Sequence, residues 1–212
     1  MTRKICISGV HGVGKSRICR EVQLKILTHN DKIIQKAVDG NSKECDIFEI
    51  KYISEQFREV VKDLITSNST GINQTEEITL ATYAKQLYLE NLYTAQGKNI
   101  LCDRSVLDSF AYYDYFNKIY EVTKVIDFEY IHRMFFYAKK YTKETYSKIY
   151  LIEPSDREIE NDGFRLTDKK QQLEIHELFL EYFEDFPNVE IINQEEANKP
   201  EFFEKVVGEF GL

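Results

Sequence analysis

The sequence predicts an α/β fold, a three-layer sandwich whose mostly parallel central sheet of about five strands is flanked by helices. Three observations predict it. Short apolar runs alternate with amphipathic stretches along the chain, and strands separated by helices need crossover connections, hence parallel pairing. The first apolar run leads straight into a glycine-rich turn and then a helix. No repeat, low-complexity tract or Pro/Gly/Ser-rich linker breaks the 212 residues, which hold only three prolines and nine glycines, so 1–212 reads as a single domain.

The elements follow in order. KICIS (4–8) is a short strand of the buried type. Ile18, Val22 and Ile26 recur at helical spacing and mark the helix after it. KIIQKAV (32–38) reads as a second strand. Ile53, Phe57, Val60, Val61 and Leu64 mark a second helix, and a third spans about 75–96, stopped by Gly97. NILC (99–102) is a buried strand with Asp103 at its carboxyl end, and two helices rich in Tyr and Phe fill 105–141. KIYLI (148–152) is a strand ended by Pro154, and 153–170 is a polar lid loop. Ile175, Leu178, Phe179, Tyr182 and Phe186 mark another helix, VEIIN (189–193) the last strand, and 200–210 the last helix. Ligands of such sheets gather at the carboxyl ends of the strands, so Gly9, Asp103 and the lid belong to one edge.

Composition narrows the function. The chain is 42% hydrophobic and 30% charged, as in ordinary globular proteins. A net charge of −8 argues against a nucleic-acid partner, which calls for a basic face. Cys6, Cys19, Cys45 and Cys102 form no C-x-x-C pair and the histidines are scattered, so zinc-ligand spacing is absent. Cys6 and Cys102 sit in apolar runs and read as buried free thiols, which fits a reducing compartment. MTRKICISG lacks the apolar stretch of a signal peptide, and no window approaches the ~20 apolar residues of a membrane span. The expected location is cytoplasmic. The oligomeric state is left open, a homodimer included.

Gly9-Val10-His11-Gly12-Val13-Gly14-Lys15-Ser16 matches G-x-x-x-x-G-K-[ST] at every fixed position. The chemistry explains the spacing. Glycines let the backbone curl around a phosphate with successive N–H groups turned inward, and the helix starting near Gly14 adds its positive end. Lys15 reaches the outer phosphates and Ser16 offers an oxygen to Mg²⁺. His11 lies in the nucleotide-binding loop and can touch a ligand, though it reads first as a spacer, and Arg17 reads as a solvated helix residue. A turn between strand and helix needs neither Lys15 nor three glycines.

Three kinds of nucleotide protein share such a loop: GTPases, motor ATPases and small-molecule kinases. Neither D-x-x-G nor N-K-x-D, the guanine-reading set, occurs in this chain. Motor ATPases follow the strand-end Asp with a Glu that polarises water, whereas here Arg104 follows Asp103. Asp103 can hold Mg²⁺ or accept a proton, and the planar guanidinium of Arg104 suits phosphate oxygens. The lid brings Arg157 and Arg165, the second presented by an Asp162-Gly163 turn, and a loop closing arginines over phosphates is a device of phosphoryl transfer.

These stations together resemble the phosphate-loop nucleoside and nucleoside-monophosphate kinases. GKNILCDRSVLDSFAYY (97–113) is similar to the Asp/Glu-Arg-Ser/Tyr segment of thymidylate and deoxynucleoside kinases. DGFRLTDKKQQLEIHELFLEYF (162–183) resembles the D-G-x-R lid of the NadR-like kinases and ATPases. The resemblance implies a P-loop NTPase fold, ATP and Mg²⁺, and transfer of phosphate to a small nucleotide or nucleoside. It implies Lys15 and Ser16 on ATP-Mg, Asp103 and Arg104 between donor and acceptor, and Arg165 from the lid. It also implies acceptor contacts by Arg58 on the second helix and Gln86 on the third. The aromatic stretch DSFAYYDYF (108–116) can stack a base. The competing reading is an ATPase of the same fold acting with a protein or nucleic-acid partner.

Overall fold

A computed structural model describes residues 2–39, 47–64, 76–120, 128–155 and 168–212. The most apolar strand lies at its centre. β1 (Lys4–Gly9) is buried at all six positions. It pairs in parallel with β3 (Asn99–Asp103) on one side and β4 (Lys148–Ile152) on the other. β2 (Ile50–Ile53) adds outside β3 and β5 (Val189–Ile192) outside β4, giving the all-parallel order β2-β3-β1-β4-β5. The predicted fold class and strand number hold.

The order creates the crevice. The chain runs out from β1 to the edge at β2, returns through β3, then crosses β1 to reach β4. The direction of winding reverses beside β1, so the helices after β1 and β3 splay apart above their carboxyl ends. The helices are α1 (Lys15–Val38), α2 (Gln56–Leu64), α3 (Glu76–Ala95), α4 (Asp108–Tyr120), α5 (Phe128–Thr145), α6 (Lys169–Phe183), α7 (Gln194–Ala197) and α8 (Pro200–Gly208). Right-handed crossovers assign α1 and α8 to one face of the sheet and α3 to α6 to the other, and α1 packs on α8 while α4 packs on α6. Ile5, Ile7, Leu101, Ile149 and Leu151 carry the core between them.

One predicted strand is misplaced. Residues 32–38 continue α1, and the second strand is β2. The β-branched pair Ile33-Ile34 suggested a strand, but most side chains from Asp31 to Val38 face solvent and find no partner strand. Asn30 on α1 sets the true entry to the edge: its Nδ2 donates to Phe48 O (2.8 Å) and its Oδ1 accepts from Phe48 N (2.9 Å). Ile53, predicted on the second helix, therefore ends β2.

A buried polar strut links the amino end of β1 to the crevice. Lys4 Nζ donates to Glu90 Oε2 (2.8 Å), Tyr141 Oη (2.7 Å) and Thr145 Oγ1 (3.2 Å). Glu90 also accepts from Tyr146 Oη and from Gln86 Nε2 (3.1 Å). The same Gln86 nitrogen donates to Arg104 O (2.6 Å).

Candidate nucleotide-binding site

The phosphate loop begins with an unusually close approach. Gly9 has φ +130°, and a Cβ built there lies 2.6 Å from Ile152 O and 3.3 Å from Ile152 N, all rigid backbone. Only glycine lets β1 lie against β4 at this point. Gly9→Ala is expected to destabilise the fold by about 2–5 kcal/mol, combining the strained φ with overpacking. A urea midpoint equal to wild type would contradict that.

Gly12 (φ 79°) and Gly14 (φ 88°) complete the curl, and Gly14 caps α1 with no side-chain capping hydrogen bond. Val10 and Val13 are buried and anchor the loop in the core. The loop is also held from outside. Tyr112 Oη on α4 accepts from His11 N (2.8 Å), and Gln172 Nε2 on α6 donates to His11 O (2.7 Å). Gln194 Nε2 at the start of α7 bonds Glu153 O (2.6 Å) and reaches Val13 O (3.4 Å). The backbone of His11 is thus braced on both sides, and the residue lines the cavity described below. Arg17 packs over the Phe203 ring and donates to Asn198.

Lys15 is buried, and its Nζ donates to Val10 O (2.7 Å). Burial first, and then the nearby Arg104 cation, lower its pKa to about 8. Ser16 Oγ donates to Asp103 Oδ2 (2.5 Å), and Tyr52 Oη lies 3.4 Å from the same oxygen. Asp103 Oδ1 is buried with no hydrogen-bond partner among the described residues. Burial raises the Asp103 pKa, with Lys15 pulling the other way. A hydroxyl and a carboxylate in contact, with one carboxylate oxygen unspent, are hard oxygen donors that fit Mg²⁺.

Arg104 follows Asp103 in a left-handed backbone conformation, φ 88°, which costs a side-chain-bearing residue free energy. Its carbonyl is held by Gln86 and its N–H by Ile7 O (3.0 Å). The guanidinium donates to Glu55 Oε1 (2.6 Å) and Gly9 O (3.1 Å) and lies over the Tyr112 ring, 5.0 Å from its centre. Asp108, buried, accepts from Ser8 Oγ (2.9 Å) and Ser105 Oγ (2.5 Å) and stands 3.8 Å from Arg104.

Glu55 is a site residue that sequence reasoning missed, as are Gln56 and Thr82, which line the same cavity. Glu55 follows β2, the strand assigned to the wrong segment, and parallel pairing of Ile53 with Cys102 carries it to the level of Arg104. Burial alone would raise its carboxyl, but Arg104 and Lys15 hold it down at about 2. Arg58 Nε also reaches Glu55 Oε2 (3.3 Å). The signal was present as IKYIS followed by a carboxylate.

A cavity of about 250 Å³ joins these parts. Gly12, Lys15 and Ser16 line it together with Glu55, Arg58 and Arg104. Arg58 and Gln86, proposed as acceptor contacts, both line it, although the Gln86 amide nitrogen is already committed to Arg104 and Glu90. Of the aromatic stretch, Tyr112 and Phe116 line the cavity, while Phe110 and Tyr113 belong to the core. Arg157 and Arg165 lie outside the described residues, as does most of the lid.

The parallel sheet, glycine loop and strand-end Asp define a phosphate-loop nucleotide-binding protein. The chain belongs to a family of AAA domains, whose model matches residues 4–197. It is 29% identical to a thymidylate kinase from Oceanobacillus iheyensis over 113 residues, which is 52% of this chain and 45% of that protein. The chain thus spans under half of that curated relative. Among solved structures it is similar to a NadR protein in complex with NR, with a TM-score of 0.61 and 14% identity, covering 100% of this chain and 52% of that one. These likenesses support the resemblance to phosphate-loop nucleoside and nucleoside-monophosphate kinases. Among the described residues, no helix is long and apolar enough to cross a membrane.

Proposed function

We propose that this protein transfers the γ-phosphoryl group of ATP to a small nucleotide or nucleoside. The observation that carries this is the shared cavity: the phosphate loop lines it together with a second set of polar groups, Glu55, Arg58 and Arg104, that a lone nucleotide does not need. The loop amides and Lys15 take the outer phosphates, Lys15 leaving Val10 O to do so. Ser16 and Asp103 hold Mg²⁺, which when bound offsets phosphate charge. Arg104 lies between donor and acceptor, and Arg165 and Arg157 approach from the lid. The acceptor oxygen bonds to the γ-phosphorus as the bond to the β-phosphate oxygen breaks, and ADP leaves. For a hydroxyl acceptor the proton passes to Glu55. Its low pKa keeps Glu55 anionic and able to orient the hydroxyl, and because a loose transition state asks little more of the base, the proton goes on from Glu55 to solvent as the product forms.

The test is ADP release in a coupled assay over a panel of nucleosides and nucleoside monophosphates. ADP formation that depends on one of them is expected, and none across the panel sinks the proposal. The AAA family match favours a second reading, an ATPase working with a protein or nucleic-acid partner. That reading predicts hydrolysis stimulated by the partner and indifferent to small acceptors. The free, buried thiols of Cys6, Cys19 and Cys102 support a cytoplasmic setting.

A further inference from the structure

Two side chains lining the cavity carry unspent polar atoms. Gln56 and Thr82 are 2% and 7% exposed. Gln56 Nε2 donates to Ser54 O (2.7 Å) and lies 3.5 Å from Ser54 Oγ. Both neighbours are oxygens, so the orientation of the amide is set by the network. Its Oε1 is then buried with no hydrogen-bond partner among the described residues, and so is Thr82 Oγ1. Gln86, one turn after Thr82 on α3, has its amide nitrogen on Arg104 O and Glu90, which leaves it only an oxygen to offer. Buried polar atoms are normally paired, and an unpaired one beside a cavity marks what a ligand supplies. Phe57, Tyr112 and Phe116 line the same space with flat apolar surface.

We infer that Gln56 Oε1 and Thr82 Oγ1 select the acceptor, Gln56 Oε1 taking an N–H donor and the Thr82 hydroxyl pairing with a polar edge atom of a neutral flat heterocycle that carries an amino or amide group. This rests on the cavity holding a second small molecule, as proposed above. The polarity is the specific part. Gln56 is fixed as a hydrogen-bond acceptor, so a ring edge that offers only acceptors leaves it unpaired and is refused. A site built around such a bond discriminates strongly against ligands that lack it.

The test measures binding and needs no turnover. Adenosine, cytidine, guanosine and purine riboside, which lacks an exocyclic amino group, are titrated calorimetrically into the protein with ADP and Mg²⁺ present. At least one amino- or amide-bearing nucleoside is expected to bind, and purine riboside to bind at least about tenfold more weakly. Thr82→Val and Gln56→Met are each expected to weaken the preferred nucleoside by about tenfold or more. Thr82→Ser, which keeps the hydroxyl, stays close to wild type.

Unliganded Thr82→Val separates recognition from packing. Its melting temperature is expected to equal or exceed that of wild type, because the variant removes a buried unpaired oxygen. Unchanged affinity in both Thr82→Val and Gln56→Met overturns the inference, as does failure of every amino- or amide-bearing nucleoside to bind. Binding that follows this pattern without ADP release upholds it while removing the kinase reading. Turnover with KM unmoved in the variants does the reverse.

Discussion

Lys15→Met is expected to lower ATP affinity by at least about a hundredfold while the protein stays folded. In the free protein the Lys15 ammonium is buried, holds one carbonyl and faces the Arg104 cation. Its pKa of about 8 lies below the ordinary 10.5. The unfolded chain therefore binds more protons than the folded one between those values, and stability rises as pH climbs through that window. Below pH 8 the charge opposes folding, so its removal leaves the melting temperature unchanged or higher. Triphosphate reverses the balance, because it favours the charged form. ATP binding near pH 8.5 should then take up a proton, and affinity should fall as pH rises above 8. Calorimetry in two buffers of different ionisation heat reads the uptake. Wild-type-like affinity in Lys15→Met, or no uptake in the parent, would remove Lys15 from this role.

Glu90→Gln is expected to cost about 3–5 kcal/mol of folding stability. Lys4 and Glu90 are 5% and 0% exposed at the side chain, so removing the anion strands a buried ammonium. The mechanism has its own control. Lys4→Met in the Glu90→Gln background should recover a large part of the loss, because the stranded charge goes with it. Urea midpoints of the two variants decide the matter, and additive losses would count against the ion-pair account. Gln86 would also exchange a charged acceptor for a neutral amide oxygen, weakening one of the two bonds that hold its amide on the Arg104 carbonyl.

The parts of the site set by covalent sterics were legible in the sequence. Gly9 has backbone packed against the place of a Cβ, Gly12 and Gly14 sit at φ angles that other residues adopt only at a cost, and Asp103-Arg104 directly ends an apolar strand. Glu55 was hidden for a physical reason. β2 is an edge strand of four residues, buried fully only at Ile53, so it lacks the apolar run that announces β1 and β3. Gln86 was recognisable as polar but not in its role, since only the fold shows that its nitrogen is taken by a carbonyl eighteen residues away. Likewise Ile33 and Ile34 have strand propensity, and tertiary context overrode it.

The external bracing of the phosphate loop bears on the thermodynamics of occupancy. The backbone of His11 is tied to α4 and α6, and that of Glu153, just past β4, to α7. The conformational entropy of forming the loop is thus surrendered during folding, and a triphosphate meets a ready-made mould. Nucleotide then raises the melting temperature through mass action, as its concentration exceeds its dissociation constant, with no new backbone ordering at the loop. The loop itself should accordingly add little to the heat capacity change of binding.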